Sequence, residues 1–109
     1  MATLRYIRDL SAHLGFLAEQ FPAVIVTGAR QTGKTTLLRE VFASHRYVSL
    51  DLPSLAEQAE NDPEAFLQSN PAPLLIDEAQ YAPKLFRHLK IAIDQNRQAY
   101  GQYILTGSY

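Results

Sequence analysis

Cysteine is absent from the 109-residue sequence, which excludes a disulfide scaffold and a thiolate metal site. No run of about 18 apolar residues exists, so nothing in the sequence reads as a membrane-spanning helix. The opening Met1-Ala2-Thr3-Leu4-Arg5-Tyr6 lacks the apolar core of a signal peptide. These absences make a cytoplasmic location the expectation, with no membrane partner. Charge of one sign is lacking too. The formal net charge is −1 and the pI about 6.3, so no global basic surface supports nucleic-acid binding. Repeats, low-complexity tracts and linkers are missing. What is present is a chain with 47% hydrophobic residues, enough for one domain and a modest core.

The sequence is organised around Val24-Ile25-Val26-Thr27-Gly28-Ala29-Arg30-Gln31-Thr32-Gly33-Lys34-Thr35-Thr36-Leu37-Leu38. An apolar strand runs into a loop with Gly28, Gly33, Lys34 and Thr35 at the spacing G-x-x-x-x-G-K-[ST], and a helix follows. Gly33 admits close approach of backbone to a phosphate, where a Cβ would intrude. The N–H groups from Gly28 through Ala29, Arg30, Gln31, Thr32 and Gly33 to Thr36 then form an anion nest at a helix N-terminus. Lys34 supplies a point charge for the outer phosphates, and the Thr35 hydroxyl is the expected protein ligand for Mg²⁺. Arg30 has three open readings: phosphate contact, partner contact or solvent.

Leu4, Ile7, Leu10, Leu14 and Leu17 recur at three- and four-residue steps, which predicts an amphipathic helix over residues 3–19. Pro22 hands the chain to a strand over 23–27. The helix opening at Gly33 carries Leu37, Leu38, Val41 and Phe42 on one side and is expected to run to about Ser44. A second strand spans Arg46 to Asp51, which makes a βαβ unit with parallel pairing. Two short helices are expected at Pro53 to Ala59 and Pro63 to Leu67, the second capped by Asp62. A third strand covers Leu74 to Asp77, and a helix from Pro83 turns Leu85, Phe86, Leu89 and Ile93 inward. Gly101 breaks that helix before a fourth strand from Gln102 to Thr106.

The third strand, Leu74-Leu75-Ile76-Asp77-Glu78, ends in two carboxylates and, downstream of a phosphate loop, looks like a Walker B motif. Asp77 is the expected Mg²⁺ partner, and Glu78 is placed to orient and polarise an attacking water. The fourth strand also ends polar, so Thr106 or Ser108 could hydrogen-bond the γ-phosphate or that water. A simple C-terminal turn is the other reading of those two residues. Asp51 is a candidate for outer contact with metal or water. His13, His45 and His88 lack metal spacing and read as structural or surface residues. Arg87, Lys90, Arg97 and Asp94 share a helix face that reads as solvated.

Four blocks in order, Gly28 to Leu38, Tyr47 to Asp51, Ile76 to Pro83 and Ile104 to Ser108, resemble a prokaryotic AAA-type ATPase, the group with an AAA-like domain followed by a C-terminal domain of unknown function. The resemblance covers almost the whole chain. It implies an ATP-binding, three-layer α/β core with strand order 5-1-4-3-2, here a parallel sheet of four strands in order 1-4-3-2. Tyr109 follows Ser108 where the resemblance leads one to expect glutamine. The fifth strand, helical lid, arginine finger and C-terminal domain are beyond the sequence, which therefore reads as truncated, a single core over 1–109.

The expected function is Mg²⁺-dependent binding and hydrolysis of ATP, slow because an arginine finger is worth about 10³–10⁵ in rate. A non-hydrolysing nucleotide-dependent interaction module is the alternative, and a small-molecule kinase fragment a further one. The strand that carries the phosphate loop is expected at a sheet edge, a place for self-association.

Overall fold

The computed structural model describes residues 12–27 and 34–107. The predicted helix over 3–19 is described only in part, as α1 over residues 12–20. Its earlier apolar positions, Leu4, Ile7 and Leu10, lie outside the described residues, as does Tyr109.

The strands are β1 (Ala23–Thr27), β2 (Arg46–Ser49), β3 (Leu74–Asp77) and β4 (Tyr103–Gly107). They form one four-stranded sheet in the order β1-β4-β3-β2, with every pair parallel. Parallel neighbours require crossovers, and the helices α2 (Lys34–Val41), α3 (Pro53–Asn61), α4 (Pro63–Ser69) and α5 (Leu85–Gln95) provide them.

The alternation of side chains along the central strands separates two cores. Leu74 and Ile76 of β3 and Leu105 of β4 pack with Phe66, Leu85 and Leu89 from α4 and α5. Leu75 and Ile104, pointing the other way, pack with Leu14 of α1 and with Leu38 and Phe42 of α2 and its exit. The sheet is thus sandwiched between helical layers, and β3 is buried at every residue. That explains its uninterrupted apolar sequence up to Asp77. Burial of Phe66, fully enclosed, contributes about 1.5–3 kcal/mol.

Element ends differ from the sequence expectation where local contacts intervene. The α2 helix stops at Val41 rather than near Ser44, although the Phe42 amide still donates to Leu38 O at 2.9 Å and keeps its ring on the apolar side. The β2 strand stops at Ser49. The Leu50 amide extends the ladder by one bond to Asp77 O at 2.9 Å, and the Asp51 amide then folds back onto Ser49 Oγ at 3.2 Å. Both short helices run two residues further than expected, to Asn61 and Ser69, and Asp62 caps α4 by accepting the Ala65 amide at 3.2 Å. The last main helix begins at Leu85 rather than Pro83. Pro83 and Lys84 form a turn, with the Leu85 amide on Ala82 O at 3.0 Å and the Phe86 amide on Pro83 O at 3.3 Å, and Glu60 Oε1 accepts the Lys84 amide at 2.8 Å. The β4 strand is shifted by one residue, to 103–107, because Gln102 instead ties the turn to Pro22 O at 2.9 Å.

That turn centres on Gly101, whose φ is +67°. Its amide donates to Phe21 O at 2.8 Å, and His45 donates from Nε2 to its carbonyl at 2.7 Å. A Cβ at this position would lie 2.9 Å from Ala18 O.

Candidate functional site

All four strands point the same way, so their carboxyl ends gather on one rim of the sheet. The register then decides which side chains meet there. Ile76 lies beside Leu105, so the next residues, Asp77 and Thr106, are also neighbours. Leu75 lies beside Tyr47, and Asp77 is two residues further along the same face as Leu75. A phenol is long enough to bridge that step. The α2 helix covers this face, with Thr35 in its first turn.

Asp77 is the hub of the resulting cluster. Its Oδ2 accepts the Thr35 hydroxyl at 3.2 Å and the Tyr47 hydroxyl at 3.0 Å, while its Oδ1 accepts Thr106 Oγ1 at 2.5 Å. The side chain is only 8% exposed. A carboxylate in such a place is costly unless it is well hydrogen-bonded, and three hydroxyls from α2, β2 and β4 meet that need. Carboxylate and hydroxyl oxygens side by side are also a donor set suited to a hard divalent cation that takes few protein ligands. Among the described residues no cluster of three or more His, Asp or Glu forms an all-protein metal cage. The donor chemistry therefore fits a cation completed by phosphate and water.

Glu78 follows directly, and the backbone there turns sharply, with φ 59° and ψ 46°. Its amide donates to Thr106 Oγ1 at 3.3 Å, and its Oε2 accepts Gln80 Nε2 at 2.7 Å. Thr106 thus links both acids, giving its proton to Asp77 and accepting from the Glu78 main chain. The short 3-10 helix Ala79–Tyr81 follows the turn, an element that periodicity did not predict.

Of the residues singled out from sequence, Thr35, Asp77, Glu78 and Thr106 are brought together. Gly28, Ala29, Arg30, Gln31, Thr32, Gly33 and Ser108 lie outside the described residues, as does the side chain of Lys34. Thr36 is exposed on α2, one residue after Thr35. Asp51 is exposed beyond the end of β2.

Two residues were missed. Tyr47 reaches Asp77, and Gln80 reaches Glu78. The Arg39 guanidinium carbon sits 4.4 Å from the centre of the Tyr47 ring. Burial pushes the Tyr47 phenol above its ordinary pKa, and the hydrogen bond and negative charge of Asp77 push the same way, against the Ser49 hydroxyl and the Arg39 charge. The signal available for Tyr47 was its place in a strand that pairs with the acidic one. For Gln80 it was a side-chain amide two residues from a candidate catalytic acid.

A family model described as an AAA domain matches residues 20–109. Two curated relatives, uncharacterized proteins of Mycobacterium bovis and Mycobacterium tuberculosis, are each 36% identical over 89 residues, which is 81% of this chain. The chain spans 20% of the length of those relatives. No solved structure matches it. The matched span takes in the whole parallel sheet and the rim where Thr35, Asp77, Glu78 and Thr106 meet, and by that match the chain belongs to the AAA domain family, a nucleotide-binding family of ATPase type.

Proposed function

We propose that this chain binds ATP with Mg²⁺ and hydrolyses the β–γ phosphoanhydride bond, with residues 23–109 as the nucleotide-binding core. The observation that carries the reading is the 3.2 Å contact between the Thr35 hydroxyl and Asp77 Oδ2. It joins the start of the helix that follows the glycine loop to the acidic end of β3. The loop residues Gly28 to Thr36 hold the phosphates, and Lys34 neutralises the outer ones. Thr35 and Asp77 hold the magnesium, which would offset charge on the β- and γ-phosphate oxygens.

Glu78 orients a water molecule for in-line attack on the γ-phosphorus and accepts its proton. The new P–O bond forms as the bond to the β–γ bridging oxygen breaks, which leaves ADP and inorganic phosphate. Gln80 donates to one oxygen of Glu78 at 2.7 Å, which restrains the rotation of that carboxylate. Thr106 fixes the Asp77 carboxylate, and Thr106 or Ser108 contacts the γ-phosphate or the attacking water.

The test is calorimetric titration of the chain with ATP and GTP, with and without Mg²⁺, beside a phosphate-release assay. Binding of ATP that tightens with Mg²⁺ and disappears in Lys34→Ala is the expected result. Failure to bind either nucleotide overturns the proposal. Tight binding without phosphate release replaces hydrolysis with a nucleotide-dependent interaction role.

A further inference from the structure

Asp77 receives three hydroxyl donors, and they are not equivalent. Thr35 stands at the head of α2, where nucleotide phosphates and a cation would compete for its oxygen. Thr106 is committed to Asp77 Oδ1 and to the Glu78 amide. Tyr47 shares Oδ2 with Thr35, at 3.0 Å, but comes from the opposite neighbour of β3. Its ring is half-buried in the core between the sheet and α2, and Arg39 of α2 lies on its face at 4.4 Å. The phenol is therefore held from both sides, by packing and by a cation over the ring.

We propose that Tyr47 is a positioning residue for magnesium: its hydroxyl fixes the rotation of the Asp77 carboxylate so that the cation meets a preset oxygen. This rests on the ATP and Mg²⁺ reading above. Each carboxylate oxygen offers two lone-pair directions. With Thr106 on Oδ1 and Tyr47 on Oδ2, the plane of the carboxylate is defined even when Thr35 turns its oxygen to a cation. Without the phenol hydroxyl only the Oδ1 anchor remains, and the group can swing about it. Hydrogen-bond partners of metal ligands are typically worth about 10–100-fold in metal affinity. On the reading above, phosphate is held by main-chain amides, a contact to which the Tyr47 hydroxyl adds nothing chemically.

The experiment is equilibrium titration of the chain with a fluorescent ATP analogue over a range of Mg²⁺ concentrations, in the wild type and in Tyr47→Phe. The variant is expected to need about tenfold more Mg²⁺ for half-maximal tightening of analogue binding, with affinity in the absence of Mg²⁺ unchanged. An unchanged Mg²⁺ requirement overturns the proposal, and so does an equal loss of affinity with and without Mg²⁺, the mark of a merely structural role. Arg39→Met keeps the phenol and frees its ring; if Tyr47→Phe does not fold, a raised Mg²⁺ requirement in Arg39→Met supports the proposal and an unchanged one overturns it. A wild type whose analogue binding ignores Mg²⁺ fails at an earlier point, because it removes the magnesium reading itself.

Discussion

The hydroxyl of Thr106 on β4 donates to the carboxylate of Asp77 on β3 across the carboxyl-terminal rim of the sheet, while its oxygen accepts the Glu78 amide. One small side chain thereby satisfies two buried groups on the neighbouring strand. Thr106→Val keeps the shape and removes both bonds. The expected cost is about 1–3 kcal/mol, read as a lower denaturant midpoint with an unchanged slope.

Glu78→Gln is expected to keep nucleotide binding and to lower phosphate release by about 10²–10⁴-fold, the usual worth of a positioned base. Binding titration and steady-state phosphate release on the same preparation give the two readings. Unchanged turnover would remove Glu78 from that role.

The predicted strands β1 and β3 matched at both ends, because each is an apolar run bounded by proline on one side and by a loop glycine or an acid on the other. The parallel sheet followed from strand, helix and strand in close succession. Less was legible where distant contacts decide the outcome. Leu50 reads as strand, but its apolar side chain is buried from a turn position. The 3-10 helix at Ala79–Tyr81 depends on the left-handed backbone at Glu78, which Thr106 holds from another strand. Asp77, Glu78 and Thr35 were readable as a candidate site because their residue types sit at fixed places relative to a strand end and a glycine loop. Tyr47 was not, because its target lies 30 residues away and only the register brings the two together.

Gly101→Ala is expected to destabilise the fold by roughly 2–4 kcal/mol, since the new methyl meets Ala18 O at 2.9 Å in a left-handed backbone. Thermal unfolding followed by circular dichroism measures it. The site on the opposite rim of the sheet should keep its nucleotide affinity at temperatures where the variant is folded.

Among the described residues β1 pairs only with β4, and Ile25 on β1 is 55% exposed. Such a strand offers a row of backbone donors and acceptors to a second copy. Light scattering is expected to show mass rising with concentration, and Ile25→Lys to suppress the rise. A wild type that stays monomeric at high concentration would count against this use of the edge.

The left-handed backbone at Glu78 sets the needs of folding against the role proposed for its carboxylate. A side chain there carries strain of about 1–2 kcal/mol that glycine would relieve. A library selected only for heat resistance should drift toward glycine or asparagine at 78, and its most robust members would be the least able to turn over a nucleotide. On the role proposed for Glu78, robustness and reactivity are traded at a single peptide unit.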